Sequence, residues 1–160
     1  MSEYSSERGN PIGARSRVHL RFDGGALFMS GGATPVSYPA VSGAGGLAPI
    51  PPGRYWIRPA EMWARTPLKD FQLDAFGGPG FHHQHRVAWG DHRITIHPYP
   101  DTPVGERGGF FIHGGLTPGS AGCIDVTHHM ERFVRDLKRE LGAHADAYVD
   151  LTVYGLPVQP

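Results

Sequence analysis

The chain has 160 residues, its 15 Lys plus Arg are balanced by 15 Asp plus Glu, and it contains a single cysteine. That length fits one domain able to fold without disulfides or metal; the balance argues against a nucleic-acid-binding face, and one cysteine excludes an intramolecular disulfide framework. With 23 Gly and 15 Pro spread along the chain, many short elements joined by turns are expected, hence a mainly β class.

Residues 1–17 read as a polar N-terminal arm, and 18–160 as one domain, with 59–92 as an insertion within it. VHLRF (18–22) and ALFMS (26–30) flank an Asp-Gly-Gly hairpin signal. VSYPAVSG (36–43) reads as a strand ending in glycine. A Gly/Pro loop (43–53) then turns sharply at Pro-Pro-Gly into the alternating strand RYWIR (54–58). Residues 59–92, rich in aromatics and broken by Gly-Gly-Pro-Gly, read as an insertion forming one wall of a cleft.

RITIH (93–97) and GFFIHG (109–114) are strands separated by a loop. From Thr127 to Leu141 the period changes: Met130, Phe133, Val134, Leu137 and Leu141 fall at helical spacing, with Thr127 as N-cap and Gly142 as stop. DAYVDLTVYG (146–155) is the last strand. The expected fold is a twisted β-sandwich or partly open barrel with one helix following the cysteine. No run approaches the ~18 apolar residues of a membrane span. The opening MSEYSSERGN has no Sec-type apolar core, so synthesis in the cytoplasm is expected.

The chemistry concentrates in FFIHGGLTPGSAGCIDV (110–126), where His113 precedes Cys123 by ten positions. A free thiol near pKa ~8.5 is only a few per cent thiolate at neutral pH, so a cysteine nucleophile needs an imidazole or a helix N-terminus beside it. Both are offered here: His113 closes a strand, and Cys123 lies four residues ahead of Thr127. Glycines 114, 115, 119 and 122 allow close backbone approach, and the amides of Cys123 and Gly122 are candidate oxyanion donors. Ser120 could orient the histidine or hold the loop. A small buried thiol beside an incidental histidine is the competing reading, and spacing alone does not separate the two.

IHG followed by S-x-G-C-I, carried by His113, Gly114, Ser120, Gly122, Cys123 and Ile124, resembles the signature of L,D-transpeptidase (YkuD-like) catalytic domains. SGAGG and API-PPGRYWI (42–57) resemble that family's upstream strand–loop–strand. RGGFFIHGG leading into GSAGCID is closer still to the compact L,D-transpeptidase effectors of type VI secretion. The resemblance covers roughly residues 18–155. It implies a Cys123 nucleophile and a His113 base acting on peptidoglycan stem peptides. Its products would be those of an L,D-carboxypeptidase, a D-amino-acid exchanger or a 3–3 cross-linking transpeptidase. Three departures stand out: a short histidine-to-cysteine interval, Ala121 where His or Ser is frequent, and Asp125 where Arg or Asn is frequent. As an effector, the protein would act in the periplasm of a target bacterium and have an immunity protein and a secretion component as partners. The alternatives are a housekeeping cross-linking enzyme, or a non-catalytic wall-binding or partner-binding module on the same fold.

Around this centre, Gly114, Gly115, Ala121, Arg107 and His97 are candidate substrate contacts, Arg107 for a carboxylate and His97 from the neighbouring strand. His82, His83 and His85 could suggest a metal, but they lack a fourth ligand at a zinc-like interval. A polar cleft wall or plain surface is expected there, with no metal or cofactor.

Overall fold

In the computed structural model the described residues are 9–33, 35–43, 48–64, 92–115 and 122–155. They form one curled, open half-barrel sheet with one α-helix, so the chain is mainly β as its composition implies. The strands are β1 (Arg15–Phe22), β2 (Ala26–Ser30), β3 (Val36–Pro39), β4 (Gly53–Ile57), β5 (Trp63–Ala64), β6 (His92–Pro98), β7 (Phe110–His113), β8 (Ile124–Asp125) and β9 (Tyr148–Val153). The helix α1 (Met130–Leu141) lies between β8 and β9. None of the helices among the described residues is long and apolar enough to cross a membrane.

Strand order is β3-β2-β1-β9-β4-β6-β7-β8, with β5 beside β6. The β1–β2 hairpin turns where Asp23 accepts the Gly25 and Ala26 N–H groups on Oδ1, both at 2.9 Å. This is the Asx turn that Asp-Gly-Gly favours. β9 runs parallel to β1 and antiparallel to β4, which puts the last strand in the middle of the sheet. β7 and β8 are also parallel. Val41, just past β3, exchanges backbone hydrogen bonds of 3.0 and 2.8 Å with Asp125 of β8. That bridge draws the two ends of the sheet together and gives the barrel its curl.

Alternation sorts the two faces. Leu20, Leu27, Tyr55, Ile57, Ile94, Ile96, Phe110, Ile112, Ile124 and Leu151 are buried in one core with Phe133, Val134 and Leu137 of α1. Tyr38 meets Phe133 edge-on, with centroids 5.3 Å apart, and donates its hydroxyl proton to Asp136 at 2.6 Å. Tyr38→Phe keeps the ring and removes a donor from a buried carboxylate, so urea unfolding should show a loss of about 1.5–3 kcal/mol.

Two boundaries differ from the sequence reading. β1 begins at Arg15, inside the stretch read as an arm, and residues just before it are tied down. Trp56 Nε1 donates to the Gly9 carbonyl at 2.9 Å and Arg58 to that of Ile12 at 2.5 Å. Thr127 is not the cap of α1. It opens a short 3-10 turn (Thr127–His129) at φ 52°, and the helix starts at Met130. Gly142 does end the helix, its N–H closing on the Lys138 carbonyl. Most of the expected 59–92 insertion lies outside the described residues.

Candidate active site

The second face of β6, β7 and β8 is polar yet buried. Counting by twos from the paired residues, it carries Arg93, Thr95 and His97 on β6, Phe111 and His113 on β7, and Asp125 on β8, with Cys123 one step before that strand. His113 pairs with Asp125 in the parallel register, so Cys123 faces the same way as His113 from the adjacent strand, offset by two residues. Cys123 is thus a diagonal neighbour of His113, two positions out of register.

His113 is 1% exposed. Its Nδ1 lies 2.8 Å from the Gly114 carbonyl oxygen. A carbonyl only accepts, so Nδ1 carries the proton and Nε2 is the basic nitrogen of the neutral ring. Burial lowers the affinity of the ring for a second proton. The Gly114 carbonyl and the Asp125 carboxylate partly offset this, while Arg93 adds to it, and the net direction is below an ordinary imidazole's 6.5. The ring is therefore neutral at pH 7, as a base must be.

This carries a stability consequence. The unfolded chain protonates His113 at higher pH than the folded one does, so its contribution to stability is complete above about 6.5 and is lost as pH falls below that. His113→Gln should flatten that part of the profile. The urea midpoint of wild type should drop more than the variant's between pH 7.5 and 5.5.

Cys123 is 2% exposed, with Sγ 3.9 Å from the Gly109 carbonyl oxygen. Gly122 stands before it at φ 72°, where a methyl group would come within 2.6 Å of the Phe110 ring. The Gly122 N–H donates to the Ala48 carbonyl at 3.0 Å. That amide is thus engaged in a loop contact rather than left open beside the thiol. Arg107 shares the Ala48 carbonyl at 3.2 Å, lies 5.7 Å from the Phe110 ring centroid and stands exposed against Gly122. It therefore sits one residue from the thiol, at the rim.

Gly114 fits under the chain that follows β8. A methyl group there would lie 2.6 Å from the Thr127 carbonyl oxygen and 2.7 Å from Met130 Cβ. The same carbonyl accepts the Gly115 N–H at 3.4 Å. His97 is on the site face but four positions along β6 from Arg93, the partner of His113. It is fully buried, bonds Glu61 at 3.0 Å through Nε2 and stacks on Trp56 with centroids 4.2 Å apart. Those contacts tie it to the wall of the sheet. Ser120, Ala121 and the His82–His85 group lie outside the described residues. Among the described residues, no group of three or more His, Cys, Asp or Glu side chains could hold a metal.

Two residues of this face escaped the sequence reading as site residues, Arg93 and Asp125. Arg93 carries a positional signal, a charge inside a strand otherwise built for burial; Asp125 offers only its place at i+2 from Cys123.

No protein-family model matches the chain, and no curated protein matches it. Among solved structures it is similar to Bdellovibrio bacteriovorus Bd1075, at 17% identity and a TM-score of 0.52. The match covers 96% of this chain and 53% of that one, so the chain spans about half the length of its structural neighbour. At that identity the likeness is one of fold.

Proposed function

We propose that the chain is a peptidoglycan-targeting cysteine enzyme of the L,D-transpeptidase type, removing or exchanging the terminal D-alanine of tetrapeptide stems. The observation that carries this reading is the burial of Cys123 and His113 side by side in the sheet, Cys123 two residues ahead of the strand partner of His113, with Nδ1 of the ring held by the Gly114 carbonyl. The substrate class comes from the resemblance of IHG and S-x-G-C-I to that family.

In this reading Nε2 of His113 takes the Cys123 proton, and the thiolate attacks the carbonyl carbon of the third stem residue. The oxyanion lies toward the Cys123 amide, since the Gly122 amide is engaged elsewhere. The intermediate collapses by breaking the C–N bond to D-alanine. His113 returns its proton to the leaving amine, because an amide nitrogen leaves poorly unprotonated. The thioester then passes to water, giving a tripeptide stem, or to a D-amino acid, giving exchange. His113 deprotonates the acceptor and the thiol is regenerated. Arg107 at the rim suits a substrate carboxylate.

The closer likeness of RGGFFIHGG and GSAGCID to type VI effectors makes delivery into a competitor's periplasm the favoured setting. A cognate immunity protein is then the expected partner. The test is mass spectrometry of tetrapeptide-stem muropeptides incubated with wild type and with Cys123→Ala. Loss or exchange of D-alanine by wild type alone supports the proposal. Muropeptides left untouched by folded wild type would favour a binding module.

A further inference from the structure

Three buried ionisable side chains cross the sheet in one row. Arg93 of β6 pairs with His113 of β7, and His113 pairs with Asp125 of β8. Directly paired residues present their side chains on the same face, with Cβ atoms ~4.5–5.5 Å apart. Exposure along the row is 4%, 1% and 0%. With so little water to screen them, a guanidinium on one side of an imidazole and a carboxylate on the other act on it strongly.

Asp125 is also fixed in place. Its backbone is bonded in both directions to Val41, and its Oδ1 accepts the Thr127 N–H at 2.7 Å. Thr127 is held at φ 52°, a conformation uncommon for a β-branched residue, and its carbonyl reaches the Gly115 N–H. The next residue back, Gly114, supplies the carbonyl on Nδ1 of His113. Asp125 thus stands beside the imidazole and also anchors the segment that orients it.

We propose that Asp125 and Arg93 are positioning residues of His113, the carboxylate favouring the imidazolium formed when the Cys123 proton arrives and the guanidinium opposing it. Together they set the pH range over which His113 works as a base. Among the described residues, this face also carries Cys123 just ahead of β8, Phe111 on β7, and Thr95 and the Glu61-bound His97 farther along β6, while α1 brings the apolar Met130 against Gly114. Electrostatics agrees in sign, since Asp125 raises the proton affinity of the ring and Arg93 lowers it, within a larger lowering by burial.

The inference rests on the proposed function in taking His113 as the base, but its test reads the ring itself. In the full chain, NMR titration of the His113 ring should show the midpoint moving to lower pH in Asp125→Asn and to higher pH in Arg93→Gln, each by roughly one unit. A merely structural role gives no such opposed pair. A midpoint that stays in place in either variant, or two that move in the same direction, overturns the proposal. If Asp125→Asn does not fold, Arg93→Gln against the charge-keeping Arg93→Lys decides: the first must raise the midpoint and the second must leave it. Opposed shifts in a protein that leaves muropeptides untouched would uphold the row and sink the enzymatic reading.

Discussion

His113→Gln is expected to slow D-alanine release by about 10²–10⁴-fold, the usual worth of a positioned acid–base group. Glutamine is close in size and can keep an N–H on the Gly114 carbonyl, so the fold at neutral pH should survive. What it cannot do is accept the thiol proton or return one to the leaving amine. Two steps fail together, so the loss should fall on kcat rather than on KM. Intact folding with an unchanged KM and a collapsed kcat, read from steady-state release of D-alanine, is the expected pattern. Unchanged kcat would show that the proton goes elsewhere.

Gly122→Ala is expected to cost both stability and activity. At φ 72° an alanine is strained by ~1–2 kcal/mol. Its methyl group, 2.6 Å from Phe110 Cδ1 and 2.7 Å from Cε1, must displace a fully buried ring that packs edge-on against Tyr55, with centroids 6.0 Å apart. Overpacking of this kind adds ~1–3 kcal/mol. Where the backbone yields instead of the ring, Cys123 moves with it, and a shift near 1 Å in a reacting group costs on the order of 10²-fold in rate. Urea unfolding together with turnover separates the two losses. A variant as stable and as active as wild type would mean that the Gly122 turn does not hold the thiol.

Much of the scaffold was legible because it is local. Asp23-Gly24-Gly25 specifies its own turn, the alternation in residues 54–57 and 93–97 follows the two faces of the sheet, and the apolar spacing from Met130 to Leu141 becomes the buried stripe of α1. Gly142 ends that helix for the conformational reason expected of it. His113 at the end of a strand and Cys123 ahead of a helical segment were readable in the same way.

The remainder depends on pairings distant in sequence. β8 is two residues long and owes its existence to β7 and to the bridge with Val41, so Ile124 and Asp125 carry no strand signature of their own. Whether Asp125 faces solvent or the imidazole is decided by that register, as is the pairing of Arg93 with His113. Thr127 resembles an N-cap by residue type, but its N–H is taken by the Asp125 carboxylate and the chain needs a further 3-10 turn before α1. The Gly122 amide, placed by sequence beside the thiol, hydrogen-bonds the carbonyl of the loop residue Ala48, a contact that spacing does not reveal.

The measurement that tests the central claim most directly is intact-protein mass spectrometry of the protein mixed with a tetrapeptide-stem peptide and quenched in acid. The account predicts an adduct equal to the stem without its terminal D-alanine, mapped to Cys123 by peptide digestion and absent from Cys123→Ala. Release of D-alanine with no adduct at any time point, or release that continues in Cys123→Ala, would contradict a cysteine nucleophile.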